Sequence, residues 1–219
     1  MSYIQGDVFE VDPDGPDAVV APTPQGPPLP VKRAFDQIVA VMLLPLLAIL
    51  MVLLIAVNPI ANRGPLWFWQ DRMGYRCRRF SALKFRTMRH EGTNSRGAFD
   101  QLETDRITPL GRLLRKSRID ELPQIINVLR GEMSLIGPRP DSYDHACVYV
   151  RVVPGYRHRH QVMPGISGLA QTEIGYVDGL EGVRRKVSAD LHYIANTTLT
   201  LDLWIAWRTI IVVLSGRGA

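Results

Sequence analysis

The chain has few cysteines and few lysines, and each shortage restricts the classes of protein to which it can belong. Cys77 and Cys147 are the only two cysteines among 219 residues, and their spacing fits neither a disulfide framework nor a zinc site. A reducing, cytosolic setting fits this usage. Of 26 cationic side chains only 4 are lysine, so the positive charge rests on arginine, whose guanidinium binds carboxylate and phosphate oxygens in pairs. The net charge of +5 therefore predicts an anionic partner: nucleic acid, phospholipid headgroup or nucleotide phosphate.

Charge is missing altogether from one stretch of the chain. The twenty residues from Ile38 to Val57 contain no charged side chain, and as a helix they would be about 30 Å long, the thickness of the hydrocarbon core of a bilayer. A signal peptide is disfavoured, because the segment before this run is long and acidic and no clear cleavage site follows it. We therefore expect a membrane anchor.

The anchor has two features that bear on its topology. Pro45 lies inside the apolar run, where it lacks an amide donor and favours a sharp bend. Basic residues, which prefer the cytoplasmic side, lie on both flanks: Lys32 and Arg33 before the run, then Arg63, Arg72, Arg76, Arg78 and Arg79 after it. The sequence favours a re-entrant helix-break-helix that dips into one leaflet at Pro45, with a spanning helix that tolerates the proline as the alternative.

The chain divides into three parts. Residues 1–30 hold seven prolines and five acidic residues, a composition that predicts a disordered tail. Residues 31–60 form the anchor, and residues 61–219 are long enough for one catalytic domain. The predicted fold class is a mostly helical α/β monotopic membrane protein with a small cytosolic domain.

Periodicity places several elements in that domain. Short strands are expected around Leu66–Trp69 and Phe80–Phe85, and Ile107–Ser117 reads as a basic amphipathic helix. Leu199–Leu214 is apolar but carries two tryptophans, which favours a helix at the lipid–water interface. The basic helix could likewise lie along anionic lipid. For both helices, ordinary packing on the protein core is an equally good interpretation.

The candidate catalytic residues are Asp120 and Glu121, at the start of a helix predicted from Leu122 to Arg130. Acidic residues at this position often only cap free amides. Here, however, groups of the type that bind phosphate surround them in the sequence: Lys84, Arg86, Thr87, Arg112, Arg115, and Arg139 between Pro138 and Pro140. We expect a phosphate-bearing substrate, with Mg²⁺ held by Asp120 and Glu121 to reduce the repulsion between carboxylate and phosphate.

Two other motifs have simpler interpretations. His158 and His160 flank Arg159, and we expect a solvated or phosphate-facing basic strip there rather than a pair of metal ligands. Gly165 and Gly168 follow Pro164 in a second turn, where glycine allows close approach to a ligand.

Together these motifs resemble a known family. Its pattern is met by KRAFD (32–36), KFRTM (84–88), the run TPLGRLLRKSRIDELPQIINVLRGEMSLIGPRP (108–140), PGISGLAQ (164–171) and the pair Asp190 and Tyr193. The chain is similar here to the bacterial sugar transferases, the monotopic polyprenol-phosphate phosphoglycosyl transferases that initiate exopolysaccharide and glycoconjugate synthesis. The acidic tail lies outside the shared pattern.

The resemblance implies a reaction and roles for residues. The family transfers a sugar 1-phosphate from a UDP-sugar to undecaprenyl phosphate and releases UMP. By this resemblance Asp120 would be the nucleophile that forms a phosphosugar intermediate, Glu121 its partner in metal handling or acceptor activation, Arg139 a nucleotide contact, and Lys84 and Arg86 phosphate contacts. It also implies a re-entrant anchor in the bacterial inner membrane, with the catalytic domain on the cytosolic face.

Alternatives remain at this point. A membrane-tethered scaffold of a glycan-assembly complex would use the arginines for binding and the carboxylates only as helix caps. A one-step transferase would form no covalent intermediate. Nucleic acid is remote as a partner, since no recognition motif accompanies the charge. Downstream glycosyltransferases are possible partners, and no residue pattern selects the sugar, the pathway or an oligomeric state.

Overall fold

The computed structural model describes residues 29–89, 97–100, 104–175 and 179–215. Most of the predicted tail, residues 1–28, lies outside this part. In chain order the elements are α1 (Leu29–Ala61), β1 (Trp67–Met73), β2 (Arg79–Phe85), α2 (Pro109–Lys116), α3 (Ile125–Leu129), β3 (Ser134–Ile136), α4 (Tyr143–Val152), β4 (Gly165–Ser167), α5 (Leu169–Glu173), α6 (Gly179–Ala195) and α7 (Leu199–Leu214). The predicted mostly helical fold with a small strand content is confirmed.

Helix α1 is the predicted membrane segment. It is one helix of 33 residues that continues through Pro45 and Pro59. Within the described residues it is the helix long and apolar enough to cross a membrane, and only 17% of its most apolar window is buried. Such exposure is unlike the core helix of a soluble protein, because apolar side chains in water are unfavourable. A bend at Pro45 and a re-entrant path stay predictions.

The chain leaves α1 and forms an antiparallel hairpin. Strands β1 and β2 pair from Trp67 opposite Phe85 to Met73 opposite Arg79, so the two predicted strands are confirmed and the first runs four residues further than expected. The register puts the far turn of the hairpin about 20 Å along the strands from the end of α1, at about 3.4 Å per residue.

Both predicted amphipathic helices are present. Helix α2 begins after Thr108, whose Oγ1 accepts a hydrogen bond from the Gly111 amide at 3.0 Å. Two of its three basic residues, Arg115 and Lys116, lie in the last turn, where the helix dipole favours them. Helix α7 has the predicted bounds, and Trp207 on its outer face is 61% exposed. The position of these helices at a membrane surface stays a prediction.

Two apolar clusters form the core. One joins α1 to the hairpin and to the two helices after it, through Ala40, Leu47, Leu54, Phe85, Leu114, Ile125, Val128 and Met133. The other lies among α4, α6 and α7, and its largest members include Tyr149, Tyr156, Leu191, Tyr193, Ile194 and Ile205. Leu135 of β3 packs against both clusters, so this short strand is the seam of the domain.

Strands β3 and β4 pair in parallel at an unusually close approach. A Cβ atom on Gly165 would lie 2.1 Å from the Gly137 amide nitrogen, and one on Gly168 would lie 2.3 Å from the Gly137 oxygen. Glycine is therefore required because two backbones meet, whereas the sequence had suggested close approach of a ligand.

Gly165→Ala should destabilise the domain by about 2 kcal/mol or more, since the clashing atoms belong to backbone and cannot rotate away. Chemical denaturation of the detergent-solubilised protein measures the loss. The matched control is Gly97→Ala, because a Cβ there meets only the exposed side chain of Asp100. Equal stability of the two variants would contradict the packing described for β3 and β4.

Candidate active site

The acidic pair lies in a tight turn that the chain forms before α3. Arg118 adopts a left-handed conformation at φ 55°, and the 3₁₀ helix Ile119–Gln124 then places Asp120 and Glu121 in its first turn. The predicted helix from Leu122 is thus present, but it begins three residues earlier. Pro123 lies inside this short helix, where it supplies no amide donor. Both carboxylates are buried, with 7% of Asp120 and 5% of Glu121 exposed.

Glu121 is surrounded by cations. Its Oε1 accepts from Lys84 Nζ at 2.9 Å and from Arg139 Nη2, while its Oε2 accepts from Arg139 Nη1 at 2.7 Å. Arg118 Nη1 lies 3.5 Å from Oε2. Burial opposes ionisation of Glu121, but Arg139 and Lys84 outweigh it and hold its pKa well below the usual range. Glu121 is therefore a permanent counterion whose two oxygens are both engaged.

Asp120 has the opposite environment. Burial, and then the negative charge of Glu121, raise its pKa to about 6. Its Oδ1 is buried and has no hydrogen-bond partner within the described part of the chain. A buried carboxylate oxygen without a partner is costly, which makes it a candidate for a functional group. Environments that separate the pKa values of two adjacent carboxylates indicate different roles for them.

The cations around the pair are themselves poorly solvated. Burial lowers the pKa of Lys84 to about 8 and that of Arg72 to about 10. Around the two carboxylates stand Lys84, Arg118 and Arg139, so the positive charges outnumber the negative ones. Such a site favours a further anion, and a phosphate would complete it.

The loop that carries Arg139 is held at each of its three carbonyl groups. The Pro138 oxygen accepts from the Gly165 amide at 3.0 Å, the Arg139 oxygen from Arg159 Nη2 at 2.8 Å, and the Pro140 oxygen from Arg72 Nη1. Pro138 and Pro140 are thus part of the frame, and the side chain of Arg139 is the part that reaches the acidic pair.

Arg159 is the buried support of this loop. Its guanidinium bonds to Asp190 at 2.7 Å and to Asp141 at 2.8 Å, and 2% of the residue is exposed. Lys186 and the Tyr156 hydroxyl also bind Asp141. The expected solvated or phosphate-facing basic strip is therefore wrong at Arg159, because its guanidinium is buried and bonded to two carboxylates and to the Arg139 oxygen.

Arg86 lies at the end of α1 instead of at the acidic pair. Its guanidinium donates to four backbone carbonyl groups, those of Asn62, Arg63, Pro65 and Met88. With these bonds formed, the geometry does not support the phosphate contact that the sequence predicted for it.

Of the remaining residues predicted to bind substrate, some lie near the acidic pair and one does not. Thr87 is buried, and its Oγ1 accepts from Arg115 Nε at 2.9 Å. Arg115 is close enough to Asp120 to favour its ionised form. Arg112 is exposed on α2. The structure therefore brings Lys84, Arg139 and Arg115 to the acidic pair and adds Arg118, which the sequence reasoning had missed.

Comparison with known proteins decides the family. A model of the bacterial sugar transferase family matches residues 28–216. The chain belongs to this family. Both the predicted family and the prediction that the chain is a transferase enzyme are confirmed.

Three relatives illustrate the similarity. A UDP-N-acetylgalactosamine-undecaprenyl-phosphate N-acetylgalactosaminephosphotransferase of Aeromonas hydrophila is 41% identical over 86% of this chain and 45% of its own length. A UDP-glucose:undecaprenyl-phosphate glucose-1-phosphate transferase of Caulobacter vibrioides is 40% identical over 86% and 71%. The exopolysaccharide production protein PSS of Rhizobium leguminosarum bv. phaseoli is 34% identical over 87% and 98%. The chain spans less than half of the first of these.

The donor atoms of this sugar transferase bear on the predicted Mg²⁺ site. Among the described residues no three His, Cys, Asp or Glu side chains cluster as a metal site. Asp120 has a free oxygen, which fits a magnesium ion that takes its other ligands from phosphate and water. Glu121 has both oxygens bonded to cations, which does not favour the metal-ligand role predicted for it.

The two carboxylates should differ in their effect on stability. Asp120→Asn removes a buried charge that folding disfavours, so in EDTA at pH 8 it should stabilise the protein by about 1–3 kcal/mol. Because the folded pKa is raised above the unfolded one, this gain should shrink as the pH falls through 6. Glu121→Gln should instead destabilise by about 3 kcal/mol, since it leaves Lys84 and Arg139 buried without a counterion.

Denaturation curves of both variants at pH 8 and pH 5 measure these differences. The same sign for the two substitutions at pH 8 would contradict the contrast in environment between Asp120 and Glu121.

Proposed function

We propose that this sugar transferase moves a sugar 1-phosphate from a UDP-sugar to undecaprenyl phosphate and releases UMP, as the first membrane step of a polysaccharide or glycoconjugate pathway. The observation that carries the proposal is the buried, unbonded Oδ1 of Asp120 beside the cations that surround Glu121. The Aeromonas and Caulobacter relatives are named for a reaction of this type.

In the first step an Asp120 oxygen attacks the β-phosphorus of the UDP-sugar. The new bond joins the carboxylate oxygen to phosphorus, the bond from the β-phosphorus to the bridging oxygen breaks, and UMP leaves with that electron pair. A carboxylate with a pKa of about 6 is ionised at neutral pH and more basic than an ordinary aspartate, which favours attack. Lys84, Arg118 and Arg139 offset the charge on the phosphoryl oxygens.

In the second step a phosphate oxygen of the lipid attacks the same phosphorus. Its bond forms as the acyl-phosphate bond breaks, and Asp120 recovers its carboxylate. Glu121 touches neither reacting atom in this scheme. It is a positioning residue, because its two oxygens hold Lys84 and Arg139 at the place where the phosphate arrives.

In this proposal Asp120 would also be a ligand of Mg²⁺, since it is the carboxylate of the pair with an unbonded oxygen. When bound, Mg²⁺ would supply charge compensation for the diphosphate of the donor. The residues of the chain still orient the donor and place the attacking oxygen.

We also propose the re-entrant path for α1, with the domain on the cytosolic face of the inner membrane. Asp36 near the start of α1 accepts from Ser134 Oγ at 2.6 Å, and Lys32 pairs with Asp202. At the other end, Asn62 Nδ2 donates to the Arg86 oxygen at 2.7 Å. A spanning helix would put its two ends on opposite sides of about 30 Å of hydrocarbon, so the same domain could not bond to both.

The proposed reaction is tested with purified protein, Mg²⁺, undecaprenyl phosphate and a panel of UDP-sugars. We expect a lipid-linked product and an equal amount of UMP with one or a few donors. Asp120→Asn should reduce turnover by at least about 1,000-fold while the protein remains in the membrane fraction, because the attacking charge is lost. No product with any donor would contradict the proposal.

The covalent step has its own test. Radiolabelled UMP should exchange into the UDP-sugar without acceptor lipid, since the first step is reversible and needs no second substrate. A transferase that is active on lipid but shows no exchange would use a one-step displacement, and Asp120 would then lose its role as nucleophile.

The topology is tested by labelling single cysteines. Val31→Cys and Ala61→Cys, in a Cys77→Ser and Cys147→Ser background, mark the exposed ends of α1. An impermeant maleimide should label both in inverted vesicles and neither in intact cells. Labelling of one end in intact cells would indicate a spanning helix, and Pro45→Leu tests whether the proline prevents it.

A further inference from the structure

The point where α1 ends is closed by a set of bonds that all involve Arg86, and we call Asn62, Arg63, Gly64, Pro65 and Arg86 the exit clamp. Arg86 Nη2 donates to the Asn62 oxygen and to the Arg63 oxygen, the latter at 2.8 Å, and Nε donates to the Pro65 oxygen at 2.7 Å. Carbonyl groups after the last turn of a helix lack intrahelical donors, and a cation there also meets the negative end of the helix dipole. The clamp therefore stabilises the end of the membrane helix.

The clamp is reciprocal. The Asn62 side chain donates to the Arg86 backbone oxygen, and the Arg86 amide donates to the Leu66 oxygen at 2.9 Å. Gly64 has a φ of +121°, and a Cβ on it would lie 3.1 Å from Arg86 Nη2. The clamp thus depends on glycine at this position as well as on the guanidinium of Arg86. Arg86 is buried, with 7% of the residue exposed.

Arg86 is also close in sequence to residues that contact the acidic pair or its neighbours. It follows β2, and Lys84, two residues earlier, bonds to Glu121. Thr87, the next residue, accepts from Arg115, and Arg86 Nη1 reaches the Met88 oxygen at 3.0 Å. One side chain therefore links the end of the membrane helix to the strand that supports the acidic pair.

We infer that Arg86 is a positioning residue for the acceptor half of the reaction: the exit clamp fixes the height of Asp120 above the membrane, where a lipid phosphate must meet it. This inference rests on the proposed function. The water-soluble donor can reach the acidic pair at any height, whereas the phosphate of a bilayer lipid is confined to the headgroup layer. A displacement of about 1 Å at a reacting centre can cost on the order of 100-fold in rate.

The test uses three disturbances of the clamp in the full chain. Arg86→Gln removes the charge, and Arg86→Lys keeps it but lacks the planar fork that reaches carbonyl groups on two sides. Gly64→Ala disturbs the same bonds without changing Arg86. The matched control is Arg184→Gln, the same chemical change on the exposed face of α6.

Three activities are compared for each variant in nanodiscs, together with the unfolding temperature. They are UMP exchange without acceptor, transfer to undecaprenyl phosphate in the bilayer, and transfer to a short-chain polyprenyl phosphate dispersed in water. We expect all three clamp variants to keep exchange and short-chain transfer within about threefold of wild type while bilayer transfer falls at least about tenfold. Arg184→Gln should leave all three unchanged.

Two results would overturn the inference. A raised KM for the UDP-sugar together with lost exchange in the Arg86 variants would make Arg86 a phosphate ligand. An equal loss of all three activities with a lowered unfolding temperature, in Arg86→Lys and Gly64→Ala as well, would reduce the clamp to general stability.

Failure of the proposed two-step reaction would be seen in the wild-type protein. If wild type transfers to lipid but shows no UMP exchange, the covalent intermediate is contradicted, and the comparison of bilayer and short-chain acceptors still tests the role of Arg86. Equal losses with the two acceptors in the clamp variants would then reject the inference on its own.

Discussion

The ionised side chain of Glu121 is the interaction on which the site depends. It joins three separate parts of the chain, because Lys84 comes from a strand, Arg139 from the loop after β3, and Glu121 itself from the 3₁₀ turn. Buried charges of one sign would repel one another without it. The cost of burying Glu121 is offset by its cations, and the cost of burying Asp120 is not, so one carboxylate has both oxygens bonded and its neighbour keeps an unbonded Oδ1.

The rest of the domain holds this arrangement at two levels. Below the site, Arg159 joins Asp190 of α6 to the Arg139 backbone, so α6 helps to fix the loop that carries Arg139. Toward the membrane, both ends of α1 bond to the same domain. The apolar helix is thereby part of the same folded unit as the acidic pair.

The sequence predicted what depends on neighbouring residues. The bounds of α7, the two hairpin strands and the acidic pair in the first turn of a helix all follow from local periodicity and composition. The hydrogen-bond partners of the buried arginines could not be predicted in this way. Arg159 binds carboxylates 18 and 31 residues away, and Arg86 binds carbonyl groups more than 20 residues earlier. An exposed arginine and a buried one have the same local sequence pattern, and only the fold distinguishes them.

Position 118 has two requirements that no single residue type meets well. Arg118 has a left-handed backbone at φ 55°, which glycine or asparagine would adopt at lower cost, yet its guanidinium contributes positive charge beside Glu121. Libraries selected for thermostability alone should drift toward glycine or asparagine here, whereas libraries selected for turnover should retain arginine. The position would thus report which of the two pressures a laboratory lineage has experienced.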